Sequence, residues 1–345
     1  MGEATQSYVS SNTSHINYTT VTGYFLQDDP ATDPSTFDYT KVNLGLINRT
    51  YPSDAAFDPT GQKTQWQRFA HHVSELNRNA SANGTVQYKV LIMGRHGEGD
   101  HNVAEAYYGT PAWDCHWSLL DGNGTSTWAD ARLTQAGVDQ ALVAHAFWAA
   151  ALGDPAVAIP APESYYVSPL ARCLATANLT FGGLDEAKLL PADRPFRPVV
   201  KELLRESLGL HTCDRRSSRT WIRENYPGWD IEPGFAEDDE LWSATLRESS
   251  TAQIARLKTL LDDVFAHDPA ATFVSLTSHS GSIRAVLAAV GHRDFALLTG
   301  AVVPVLVRAE TRPGPAPPSA VDPPTTAPTC AVDPTAAAAA SSGVA

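Results

Sequence analysis

Strand-like runs recur along this chain with helical patterns between them, and that alternation restricts the fold more than any other feature. Residues 86–93 are rich in apolar and β-branched side chains and stop at Gly94. Residues 164–167 stop at Ser168-Pro169, residues 272–277 end at Ser278-His279, residues 301–307 form a further run and residues 198–200 a shorter one. Apolar positions at helical spacing fill 133–151, 245–267 and 282–290, with another helix over 65–76. Strands separated by helices are joined by right-handed crossovers, which make them parallel and cover both faces of the sheet. The pattern predicts an α/β fold, a three-layer α/β/α sandwich with a mostly parallel central sheet.

Two stretches resist this pattern. Residues 100–130 carry Trp113, Trp117 and Trp128 with Pro111, Gly122 and Gly124 but no period, and residues 212–240 mix charge, tryptophan and proline. Both exceed a simple connection and read as insertions that shape a pocket. From 311 to 345 prolines and then alanines take over, a composition that buries too little apolar surface to offset its ordering entropy. Residues 1–20, rich in Ser, Thr and Asn, lack the basic start and apolar core of a secretory signal. The expected organisation is a flexible segment at 1–20, one catalytic domain over 21–310 with insertions near 100–130 and 212–240, and a disordered tail over 311–345.

Composition narrows the partners. With 38 acidic and 25 basic residues the formal charge is −13, so no nucleic acid and no membrane surface is expected, because both are bound through Lys and Arg. The apolar stretches at 141–152 and 301–307 are shorter than the roughly 18 residues of a membrane span. A small anionic substrate stays compatible, since a few arginines in a cleft set the local potential. Cys115, Cys173, Cys213 and Cys330 are widely spaced without a C-x-x-C pair and read as free thiols of a reducing compartment, which makes a cytoplasmic location the expectation.

In open α/β sheets ligands bind at the carboxyl ends of the strands, and those ends carry the chemistry. The first run is followed by Arg95-His96-Gly97-Glu98, the second by Arg172, the third by Glu202 and Glu206, the fourth by His279-Ser280-Gly281. Two arginines, two histidines and a carboxylate at one edge suit phosphoryl transfer. Guanidinium groups grip phosphate oxygens, a neutral imidazole attacks phosphorus, and a carboxylic acid protonates the departing oxygen. Backbone amides at the start of a helix after His279 add donors.

Taken together these blocks resemble the histidine phosphatase, or phosphoglycerate mutase-like, superfamily. Its Arg-His-Gly signature is matched at Arg95-His96-Gly97, with Asn102 six residues after the histidine. Residues 130–141, 168–172 and 278–285 are similar to its later blocks, and 23–30, 111–115 and 210–216 narrow the likeness to a fungal phosphomutase-like subgroup. The resemblance covers about residues 86–308. It implies a phosphoglycerate mutase-like fold with the insertions forming a cap, a phosphohistidine at His96, and phosphoryl oxygens held by Arg95, Arg172 and His279. It further implies substrate or phosphate contacts from Asn102, Ser280 and Gly281, proton donation by Glu206 in preference to Glu202, and no metal or organic cofactor in hydrolysis.

The expected function is a metal-independent phosphatase that hydrolyses a small phosphorylated metabolite. A phosphomutase, or a biosynthetic or binding protein reusing the same pocket, stays open, as does the oligomeric state. Other prominent residues receive plainer readings: His101, His116 and His211 as surface or packing groups, Cys173 as a small buried hydrophobe, Trp113, Trp117 and Trp128 as packing, and Arg215, Arg216 and Arg219 as a solvated face.

Overall fold

A computed structural model describes residues 14–81 and 84–335. The strands are β1 (Ser14–Thr20), β2 (Val86–Arg95), β3 (Ser164–Val167), β4 (Val199–Val200), β5 (Asp230–Ile231), β6 (Phe273–Ser278) and β7 (Val302–Pro313), joined into a sheet of order β1-β7-β2-β6-β3-β4-β5. The ladders from β2 to β5 are parallel, and those of β7 with β2 and of β1 with β7 are antiparallel. The mostly parallel sheet expected from the alternation is present. In β2 the residues from Lys89 to Met93 are all buried, as befits a central strand covered on both faces.

The helices are α1 (Asp54–Phe57), α2 (Gln65–Ser81), α3 (Asp100–Tyr108), α4 (Thr110–Cys115), α5 (Gln135–Gly153), α6 (Ala171–Phe181), α7 (Arg219–Asn225), α8 (Ser250–His267) and α9 (Ser280–Ala289). Helix α5 packs on α6 and α8 on α9. The crossovers holding these two pairs run in opposite directions along the sheet, so right-handed connections place them on opposite faces. Helix starts are set by caps. Thr134 accepts a hydrogen bond from Gly137 N and Ser249 from Ala252 N, which is why α8 begins at Ser250 rather than at residue 245.

The last strand outruns its apolar core. Beyond Val307 it continues as Arg308, Glu310 and Arg312, ion-paired on one exposed face, while its outer edge is taken by β1. There Tyr18 is buried, its ring 5.2 Å from that of Phe265 and its hydroxyl 2.8 Å from Asp262 Oδ1. The flexible segment expected at 1–20 is therefore corrected for Ser14–Thr20, because a half-exposed strand edge offers a run of polar residues a partner; residues 1–13 lie outside the described residues.

Two further expectations fail together. Cys115 and Cys330 are joined by a disulfide across a separation of 215 residues, with Cα atoms 5.2 Å apart; Cys173 and Cys213 are free and buried. The tail is held as well: Thr325 forms an antiparallel bridge with Arg247, and Trp117 Nε1 donates to Pro334 O at 3.1 Å. Composition records average polarity, and a few hydrogen bonds with one covalent link hold a segment that has no core of its own. Residues 336–345 of the expected disordered tail lie outside the described residues.

Candidate active site

The parallel register assembles the site. Arg95 lies opposite Ser278 across β2 and β6, and Val167 opposite Thr277 across β3 and β6. The residues that follow therefore leave the sheet side by side: His96 N donates to Ser278 O at 2.9 Å and Ser168 N to Thr277 O at 3.0 Å. The rings of His96 and His279 end 5.1 Å apart, edge to face.

The loop after His96 is held on every side. Gly97 N donates to Thr176 Oγ1 at 3.0 Å, Glu98 N to Gln140 Oε1 at 2.8 Å, and Thr134 N to Glu98 O at 2.9 Å. A Cβ on Gly97 would strike the carbonyl of Gly137, and one on Gly137 the carbonyl of Glu98, so the start of α5 meets this loop only through paired glycines. The block at 130–141 thus braces the loop after His96. Asp130 likewise accepts from Ala171 N at 2.8 Å and from Ser217 N at 2.9 Å, tying α6 to the second insertion.

His96 is buried and its Nδ1 lies 2.6 Å from Gly97 O. A carbonyl only accepts, so Nδ1 carries the proton and the lone pair of the neutral ring is on Nε2. Burial, then the charges of Arg172 and Arg95, hold the imidazole well below its ordinary pKa, against the pull of the Gly97 carbonyl. His101 and His279 are likewise held neutral, first by burial and then by Arg172.

Arg95 donates from Nη1 to Leu297 O at 2.6 Å. Arg172, 1% exposed, donates from Nη1 to Cys213 O at 2.6 Å and from Nη2 to Asp214 Oδ1 at 2.8 Å. For Arg172 burial acts downward on the pKa, and Asp214 with Cys213 and Cys173 turns the net shift upward. The Nε atoms of both arginines are buried donors without a partner, an arrangement that asks for an anion.

Both line a cleft of about 290 Å³ with His96, His101, Asn102, Glu206, Ser280 and Gly281. Asn102 Oδ1 accepts from Gly99 N at 3.0 Å, which leaves its amide nitrogen as the donor. Glu206 accepts from Gly281 N at 2.9 Å through Oε2, and from Ser207 N at 2.9 Å and Gln253 Nε2 at 3.0 Å through Oε1. A Cβ on residue 281 would overlap that carboxylate.

Glu202 points elsewhere, bound by Arg205 Nη1 at 3.0 Å and Arg216 Nε at 2.8 Å; burial raises its pKa against these two cations. Of the expected residues only His279 stands outside the lining. It is fully buried, with Nε2 2.8 Å from Ser168 Oγ and 3.3 Å from Cys173 Sγ, and its ring lies edge to face against that of His96.

The family model of the histidine phosphatase superfamily, branch 1, matches residues 115–300. A probable phosphoglycerate mutase of Arthroderma benhamiae is 57% identical over 86% of this chain and 85% of its own. The chain belongs to the histidine phosphatase superfamily. Phosphomutase-like protein 3 of Candida albicans is 33% identical over 88% of this chain and 83% of its own. The solved ecdysone phosphate phosphatase of Bombix mori in complex with tungstate is 17% identical over 68% of this chain and 95% of its own, with a TM-score of 0.40, too remote to carry more weight. The matched span holds Arg172, Glu206 and His279; Arg95, His96 and Asn102 precede it and reach the site through β2.

In this superfamily member the plainer readings divide. Cys173 is a buried thiol raised by burial, and Trp128 is core. His101 and His211, read as surface or packing groups, line the cleft, and burial lowers His211 to about 3. Arg216, read as solvated, is buried on Glu202. Asp114, Glu105 and Arg247 line the cleft without any signal in the sequence. The contrast expected between an acidic surface and a cationic pocket softens accordingly: Arg95, Arg172, Arg247 and Arg284 face Glu105, Asp114, Glu206 and Asp214. His211, Cys213 and Asp214 bring ligand atoms within 4.8 Å of one another, but Asp214 is bonded to Arg172 and lies 3.6 Å from Arg247, and two guanidinium groups oppose a cation there.

Proposed function

We propose that this chain is a metal-independent phosphatase acting on a small phosphomonoester through a phosphohistidine at His96. One observation carries the reading: Gly97 O fixes the His96 tautomer that leaves Nε2 free, beside buried Arg172 and half-buried Arg95, whose buried Nε donors lack partners. Nε2 attacks phosphorus while the ester P–O bond breaks and its electron pair goes to the leaving oxygen, which takes a proton from Glu206. Water then attacks the phosphohistidine, Glu206 recovers the proton, and His96 and inorganic phosphate are released. Arg95 and Arg172 meet the negative charge that grows on the equatorial oxygens.

A mutase, which returns the phosphoryl group to a second hydroxyl, draws support from the name of the relative at 57% identity. The two activities differ in whether phosphate is released. A panel of phosphomonoesters that includes phosphoglycerate, with a phosphate label trapped by rapid quenching, tests the proposal. His96→Ala is expected to abolish the acid-labile label and to lower turnover by about 10³-fold or more; full activity in that variant would overturn the scheme, and transfer without phosphate release would favour the mutase.

No helix among the described residues is long and apolar enough to cross a membrane. The Cys115–Cys330 bond fits poorly with the cytoplasmic location expected from cysteine spacing, since reducing compartments keep such thiols apart.

A further inference from the structure

The C-terminal segment touches the surroundings of the cleft at three successive places. Asp322 meets the first turn of α8: its carbonyl accepts from Ser249 Oγ at 2.8 Å, its carboxylate from Thr251 Oγ1 at 2.9 Å, and its N–H donates to Thr251 Oγ1 at 2.8 Å. Thr325 then pairs with Arg247 in both directions, Arg247 N to Thr325 O at 2.7 Å and Thr325 N to Arg247 O at 2.9 Å. Finally Cys330 is bonded to Cys115, the last residue of α4, and Pro334 accepts from Trp117.

Each contact ends on something the cleft uses. Trp113 and Asp114, immediately before Cys115, line it, and so does Arg247. Arg247 in turn donates from Nη1 to Gly209 O at 3.1 Å and lies 3.6 Å from Asp214 Oδ2, the other oxygen of the carboxylate that holds Arg172. The backbone of residue 247 sits in an irregular stretch ahead of α8, and its bridge to Thr325 is what gives it a ladder partner.

We propose that residues 322–334 form a strap, fastened by the Cys115–Cys330 bond, that positions Arg247 and the α4 wall for capture of the substrate. Arg247 is then a specificity-determining residue that meets the part of an anionic substrate beyond its phosphoryl group. The effect on capture rests on the phosphatase reading; the strap itself does not. A dithiol reductant undoes the fastening: two electrons and two protons pass to the S–S bond, leaving two thiols and the reductant's own disulfide. Among the described residues Cys173 and Cys213 are already free thiols, so the reductant changes this bond alone.

The test compares the untreated full chain, the dithiol-treated chain and Cys330→Ser by hydrogen exchange and by kinetics on phosphoglycerate, whose carboxylate lies beyond its phosphoryl group. Faster amide exchange over residues 244–249 is expected in both altered forms, with KM raised about tenfold and kcat kept within about twofold. Thr325→Pro, which removes the N–H but spares the disulfide, should shift both readouts in the same direction by less. Unchanged exchange after the bond is cut overturns the strap, and faster exchange with unchanged KM overturns its role in capture. Faster exchange in a protein that turns over no phosphomonoester in any form upholds the strap and counts against the phosphatase reading.

Discussion

Arg95, His96 and His279 stand at the ends of two neighbouring strands, whereas Asp114, His211 and Arg247 stand on stretches with no strand beneath them. Arg95 and His96, with the His101 ring packed 5.4 Å from that of His96, form the floor of the cleft, and His279 is buried against His96 outside the lining; the spacing of the strand ends is set by the hydrogen bonds of a parallel ladder, which no single side chain can shift far. The second group forms the wall, placed by the Arg247–Asp214 ion pair, the approach of His211 Nε2 to within 3.6 Å of Asp114 Oδ1, a β-bridge and a disulfide, which join residues far apart in sequence. Under the proposed function the difference separates two tasks: the floor would carry a fixed charge geometry for bond cleavage, and the wall would decide which molecule arrives there.

That division is open to attack at three levels. Arg172→Lys keeps a charge but loses the planar fork, and kcat/KM should fall by about 10²-fold to 10³-fold, mostly in kcat. Arg247→Lys should instead raise KM by about tenfold with kcat held; equal losses in kcat would erase the distinction between floor and wall. A smaller effect is expected from Gly281→Ala, whose methyl group would push the Glu206 carboxylate aside. Turnover should drop by about tenfold while inorganic phosphate, measured by calorimetry, binds as before. Weakened phosphate binding with normal turnover would place Glu206 among the phosphate ligands instead.

The smallest effect is one proton's share of stability. Burial holds His101 in the floor well below its ordinary pKa and His211 in the wall at about 3, while an unfolded histidine titrates near 6.5. Above pH ~6.5 neither state binds this proton and the stability is fully present. Below it the unfolded chain takes up a proton that the fold refuses, and each such histidine lowers stability by about 1.4 kcal/mol per pH unit. Urea unfolding between pH 7 and 5 should therefore show a slope reduced by one proton in His101→Asn and by the same amount in His211→Asn. An unchanged slope for His211→Asn would mean that the wall admits protons that the floor excludes.

Much of the floor was legible because its signals are local. The run at 86–93 says strand, the Gly94-Arg95-His96-Gly97 that follows says strand end, and the likeness of later blocks places Arg172 and His279 at the same edge. The preference for Glu206 over Glu202 is supported by the ion pairs that tie Glu202 to Arg205 and Arg216. His279 was assigned a direct part, yet its orientation depends on Ser168 and Cys173, contacts that no spacing announces. The wall was illegible for the same reason in stronger form. Arg247 matters through Thr325 and Asp214, and Cys115 through Cys330, partners dozens to hundreds of residues away. Asp322 and Thr325 sit in a stretch whose composition advertised disorder.

Strand β7 runs antiparallel to β2 and so carries the chain away from the cleft: Val302 pairs with Gly94 beside the site, Glu310 with Val86 at the far end. Whatever follows Pro313 must come back along the sheet to reach Arg247. The 12 residues of β7 extend over roughly 36–40 Å. Extended proline-rich backbone from Pro313 to Thr325 covers roughly 37 Å at about 3.1 Å per residue. The two lengths nearly match, which makes this stretch a span with little slack, and proline suits it by staying extended without a hydrogen-bonded neighbour. Residue identity is then a loose requirement there and a minimum residue number a strict one. An insertion would bow outward harmlessly, whereas losing a few residues would pull Thr325 off Arg247 from the opposite end of the molecule.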